Sequence, residues 1–137
     1  MSNQLESNDF LLSVLVGMAE SGASMGVTLY VNGAVITGEL ISQKRYVEEI
    51  VSDLRGPMES ALKTHSSSVL DAISRVGDMP NGSTGEEGEA SEYEFVHLSG
   101  AQCFSGNNRV PSNGAPWRGK LAAIDGFMLG RMSVDQN

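Results

Sequence analysis

Two Asx-Gly pairs constrain this chain more than any other feature. Asn32-Gly33 stands within VTLYVNGAVITGELIS, and Asp125-Gly126 stands within WRGKLAAIDGFMLGRM. Such a pair between apolar runs favours a two-residue type I′ turn, because both central residues must take positive φ and Asn, Asp and Gly tolerate it best. The sequence therefore predicts two hairpins. One covers 27–42, and the other covers Trp117–Met132 and turns at Asp125-Gly126.

The rest of the chain arranges itself around these two. Phe10, Leu11, Val14, Leu15, Met18 and Ala19 recur at helical spacing, which predicts a helix over 8–21. Ser7 or Asn8 would cap its start and Gly22 would stop it. In the first hairpin Val27, Leu29 and Val31 share one face, as do Ile36 and Leu40, and Gly38 marks a bulge or bend. From Gln43 the period becomes helical, with Val47, Ile50, Val51 and Leu54 on one face. Gly56-Pro57 should break or kink that helix, and a second one should follow over 57–76 along Met58, Ala61, Leu62, His65, Val69, Ile73 and Val76. Residues 77–92 hold almost no apolar side chain and read as a flexible acidic linker. Strand character returns over 93–137, with Val96 and Leu98 opposite Phe95 and His97, and with a turn-rich loop at 106–116.

The fold class expected is α+β: an N-terminal helix, a helical insert over 43–76 after the second strand, and five short strands. These would form a small curled sheet or an Sm-like β-barrel. At 137 residues the chain suits a single domain over 1–137.

Charge narrows the partners. The formal net charge is -8, which argues against nucleic acid and against anionic membrane surfaces as partners. The charge is also divided. Residues 77–94 carry six acids and no base, whereas residues 95–137 carry four bases and two acids. Opposed segments of this kind can attract a second copy of the chain, so a homo-oligomer is expected. A start without signal-peptide features and the lack of a long apolar run point to a cytoplasmic protein.

No residue set suggests catalysis, a cofactor or a metal site. Cys103 and His97 would need a bulge at Ser99-Gly100 to change their relative facing, and no orienting third residue accompanies them. His65 sits on the helical stripe as a packing residue, and the two histidines and one cysteine match no zinc spacing. Glu86, Glu87 and Glu89 lack the fixed loop of a calcium site and read as a solvated acidic face, a candidate for partner contact. Trp117, Arg118 and Lys120 are the other interaction candidates. A Trp beside an Arg at a strand start can anchor an interface, and Trp117 can equally cap the core.

Two resemblances follow from the strings themselves. The order of helix, Gly-turned strand pair (VTLYVNGAVITGELIS), third strand (EFVHLSGAQCF) and terminal WRGKLAAIDGFMLG resembles Sm-like barrels. Helical sequence replaces the RNA-binding Asp and Asn of that family between the second and third strands, so only its architecture carries over. An Sm-like nucleic-acid or scaffold module is the alternative function. The denser resemblance is to the U-type gas vesicle accessory proteins, the GvpU family. It is carried by VNGAVITGELIS followed by KRY, by EFVHLSGAQ, and above all by PWRGKLAAIDGFMLGRMS. The resemblance implies a non-enzymatic gas vesicle accessory protein that self-associates, binds the vesicle shell or other vesicle proteins, and controls vesicle clustering. It would work in the cytoplasm at the vesicle surface.

Overall fold

The computed structural model describes residues 9–62, 66–82 and 93–133. Helix α1 spans Phe10–Glu20. Its N-cap is Asp9, whose carboxylate accepts from Leu11 N at 2.9 Å and Leu12 N at 3.3 Å. The expected caps Ser7 and Asn8 lie outside the described residues. Gly22, at φ 115°, ends the helix as expected, with its N–H donating to Ala19 O and that of Ala23 donating to Met18 O.

Strands β1 (Met25–Val31) and β2 (Ala34–Ile41) form the first predicted hairpin. Asn32 and Gly33 have φ of 55° and 89°, the positive pair a type I′ turn requires. The insert is two helices, α2 (Gln43–Leu62) and α3 (Ser66–Val76). The break expected at Gly56-Pro57 does not occur there: Pro57 lies inside α2, which continues to Leu62. Pro57 is exposed, so the backbone carbonyl that loses its donor can turn to water. Among the described residues the packed stripe also differs, with Ala61 exposed and a neighbour exchanged in α3. Leu70 is buried and Val69 is exposed, and Leu70 joins Val47 and Val51 with Tyr46, Leu54, Met58, Ile73 and Val76 around them.

Strands β3 (Phe95–Ser105), β4 (Asn108–Lys120) and β5 (Gly126–Leu129) complete an antiparallel sheet in the order β4-β3-β2-β1-β5. Two expectations fail here. The turn-rich stretch 106–116 is not a loop, because β4 runs through most of it after a tight turn at Gly106-Asn107. More consequentially, Trp117–Met132 is not a hairpin. Neither Asp125 nor Gly126 has positive φ, and β5 pairs with β1 at the opposite edge from β4.

A 3₁₀ turn, Leu121–Ala123, carries the chain between the two edges. Three residues at 3₁₀ rise and three extended steps reach roughly 16 Å, whereas the edges of a flat five-stranded sheet stand about 19 Å apart. The sheet must curl for the crossing to be made. The curl is built by bulges: β2 and β3 change register between Thr37 and Glu39, and β3 and β4 change it on either side of Ala101. Gly38 lies at the first of these, as its sequence position implied. A Cβ there would stand 3.1 Å from Ala101 Cα and from Ser99 O. The result is an α+β fold with a curled five-stranded sheet that does not close into a barrel.

The main core lies on one face of this sheet. Leu12, Val16 and Ala19 of α1 pack on Val27, Leu29, Ile36, Leu40, Val96 and Leu98, and Leu121 of the 3₁₀ turn joins them. On the other face the chain end crosses β1 and β2. The buried Thr28 and Thr37 hydroxyls meet at 3.0 Å; Thr28 donates to Gly130 O and Thr37 accepts from Met132 N.

Candidate functional site

The polar residues that matter gather where the insert rejoins the sheet. Gln43 is the first residue of α2 and is buried. Its amide donates to Val76 O at 3.1 Å and Met79 O at 2.9 Å, and its backbone N–H donates to Glu20 Oε2 at 3.0 Å. Asn81, also buried, donates to the same Glu20 oxygen at 2.8 Å and to Phe95 O at 2.9 Å. Its own oxygen accepts from Glu94 N and Phe95 N. One carboxylate and two amides thus tie together the end of α1, the start of α2, the segment after α3 and the start of β3. Such contacts substitute for water at backbone groups that burial would otherwise leave unpaired.

His97 sits beside this network on the α2 side of β3. It is 1% exposed, and neither ring nitrogen has a hydrogen-bond partner among the described residues. Its ring lies 4.9 Å from that of Tyr46 and 6.3 Å from that of Phe95. Burial, and second the charge of Arg118, lower its pKa from 6.5 to about 4. Cys103 is on the other face of the same strand, packed against the main core, because the bulge at Ser99-Gly100 intervenes. The two side chains therefore do not form a nucleophile and base.

The interaction candidates on β4 divide by strand parity. Trp117 pairs with Leu98, packs half-buried against the main core, and lines an apolar cleft of about 180 Å³ with Cys103, Val110 and Pro111. Its indole folds across Gly119, where any Cβ would collide with the ring. That gives the Trp-Arg-Gly string a physical reason. Arg118 faces the other way, 3.8 Å above the Phe95 ring, with Nη2 at 3.4 Å from Gln43 Oε1. Lys120 is exposed at the end of β4. Glu86, Glu87 and Glu89 and most of the acidic segment lie outside the described residues, as does His65.

Asp125 takes a different part from the turn residue expected. Its N–H donates to Tyr30 O at 2.7 Å and its carboxylate accepts from Asn32 N at 2.6 Å. The second Asx-Gly pair is a clamp on the first. It starts β5 alongside β1 and holds the Asn32-Gly33 turn.

Similarity to known proteins decides the family. The model of the family described as Gas vesicle protein GvpU-like matches residues 9–132. The chain belongs to the GvpU-like family. No curated protein and no solved structure matches it significantly. No helix among the described residues of this GvpU-like chain is long and apolar enough to cross a membrane.

Sequence reasoning missed Glu20, Gln43 and Asn81. Their partners lie 13 to 75 residues away along the chain, beyond any periodic pattern. The available signal was weak: polar amides at the junctions of elements, where backbone groups need side-chain partners.

Proposed function

We propose that this GvpU-like chain is a non-enzymatic gas vesicle accessory protein. It self-associates, binds gas vesicles or other vesicle proteins, and thereby controls vesicle clustering in the cytoplasm. The observation that carries the reading is the outer edge of β4, which pairs with no other strand among the described residues, runs thirteen residues and bears Arg109, Arg118 and Lys120. An open sheet edge is a template for a partner, and basic residues along it keep it from pairing indiscriminately. They also favour an acidic partner, and residues 77–94 with their six acids supply one in every other copy. Trp117, Arg118 and Lys120 on one side and Glu86, Glu87 and Glu89 on the other are the contact residues of this reading.

Purified protein added to isolated gas vesicles should cluster them, as followed by light scattering, and the clustering should weaken as salt is raised. Replacing Glu86, Glu87 and Glu89 by Gln, which leaves the buried Asn81 in place, should abolish the salt dependence. Lys120→Glu should weaken clustering. Salt-insensitive clustering that both variants leave unchanged would remove the electrostatic part of the proposal.

A further inference from the structure

Helix α1 is apolar on more sides than its own core uses. Between Phe10 and Ala19 it holds no charged residue, in a chain whose net charge is -8. Leu12, Val16 and Ala19 face the core and are 0–2% exposed. Phe10, Leu11, Val14 and Met18 are 76%, 59%, 41% and 46% exposed. At 100° per residue these four lie within a stripe about 100° wide, directed away from the buried one. A short surface helix normally carries charge there. At 11 residues α1 is about 16 Å long, far short of a membrane span.

We infer that this stripe is a second self-association surface of the protein, apart from the β4 edge, and that its occupant is the α1 stripe of a second copy, packed antiparallel across a two-fold axis. The inference rests on the self-association proposed above and adds an apolar surface to its electrostatic one. Phe10, Val14 and Met18 fall on one i, i+4, i+8 ridge with Val14 at its centre. A two-fold axis through Val14 sets each Phe10 against the partner's Met18 and Val14 against its own copy, as an isologous contact requires. The absence of charge matters here. Two chains of like net charge repel, and this is a surface on which their approach brings no like charges together.

Area sets the strength. The four side chains expose roughly 400 Å² of apolar surface, and two copies would bury roughly 800 Å² in all. That is about half of a standard stable interface, so the contact is weak, reversible and steeply dependent on concentration.

The test is sedimentation velocity of the full chain over a range of concentrations, at high salt where the contact of the β4 edge with the acidic segment is screened, for wild type, Val14→Glu, Val14→Lys, and an equal mixture of the two variants. Wild type should associate reversibly. Each variant alone should need roughly tenfold or more higher concentration to do so. The mixture should recover association, because opposite charges then meet at the axis. Thermal melts of the variants should match wild type, since Val14 lies outside the core. Wild type that stays monomeric at high salt overturns this assignment, and wild type that stays monomeric at low salt too overturns the self-association on which it rests. Variants that associate like wild type, or a mixture that stays monomeric, overturn the α1 assignment alone. Variants that lose binding to isolated gas vesicles but keep self-association would assign the stripe to the vesicle and overturn it as well.

Discussion

The two faces of the curled sheet are held by different physics. Toward α1 the contacts are hydrocarbon: Leu12, Val16, Leu29, Leu40 and Leu98 are 0–2% exposed, and shape and area alone determine their energy. Toward the insert they are largely polar. Gln43, Asn81 and Glu20 bridge four segments through directed hydrogen bonds, Ser99 donates to Glu49 at 2.8 Å, and His97 lies buried without a hydrogen-bond partner among the described residues. A hydrocarbon face tolerates small shifts of register and is insensitive to pH. A polar face specifies one geometry and depends on protonation. The insert is thus docked by specification and α1 by area, which leaves α1 free to be apolar on its outer side too.

The contrast can be broken at four places. The largest effect should come from the hydrocarbon face: Leu29→Ala should lower unfolding free energy in urea by about 2–5 kcal/mol, with little dependence on pH. Next is the pH dependence of the polar face. The folded-state pKa of His97, about 4, lies below the 6.5 of the unfolded chain. As pH falls the unfolded chain takes up the proton first, so stability present above about pH 6.5 is lost progressively toward pH 4, by about 3 kcal/mol at most. His97→Phe should remove that component and leave stability at pH 7 unchanged or higher. A urea series at several pH values checks both. If wild type and His97→Phe show the same acid slope, the buried histidine does not control it.

Asn81→Ala comes third. It leaves the N–H groups of Glu94 and Phe95 and the carbonyl of Phe95 without their partner. A loss of about 2 kcal/mol is expected, and amide exchange should accelerate at the start of β3 before it does in β1. The smallest effect belongs to Asp125→Ala, which removes an exposed hydrogen bond to Asn32 N and should cost about 1 kcal/mol. Its signature should be local, as faster exchange at the Asn32-Gly33 turn and in β5.

Much of the fold is legible residue by residue. Alternation in β1, β2 and β3 is visible because each has one face on the hydrocarbon core. The Asn32-Gly33 turn is visible because few other pairs accept its φ values. Strand β4 was hidden for the converse reason. It is an edge strand with register shifts, and it carries Pro111 and Gly114, which suit an edge and a close approach and would argue against a central strand. Gly114 is held at φ 78°, and a Cβ on it would stand 2.9 Å from the Gly100 backbone. Among the site candidates, Trp117 and Arg118 could be named in advance, but not their opposite directions. Adjacent residues on a strand must diverge, and which face is the core depends on register.

By itself the sequence determined what its local chemistry dictates: the helical segments, the extended segments of β1, β2 and β3, the type I′ turn at Asn32-Gly33, the bend at Gly38, the division of charge, and the similarity over residues 9–132 to the GvpU-like family. The tertiary structure alone decided where the second Asx-Gly pair goes. Asp125-Gly126 could close a hairpin with β4 or begin a strand against β1, and local propensity favours the first. The curl of the sheet and the burial of Leu121 carry the chain to the far edge, where Asp125 finds Tyr30 O and Asn32 N. Contacts so distant in sequence leave no local trace, because their energy arises only once the sheet has formed.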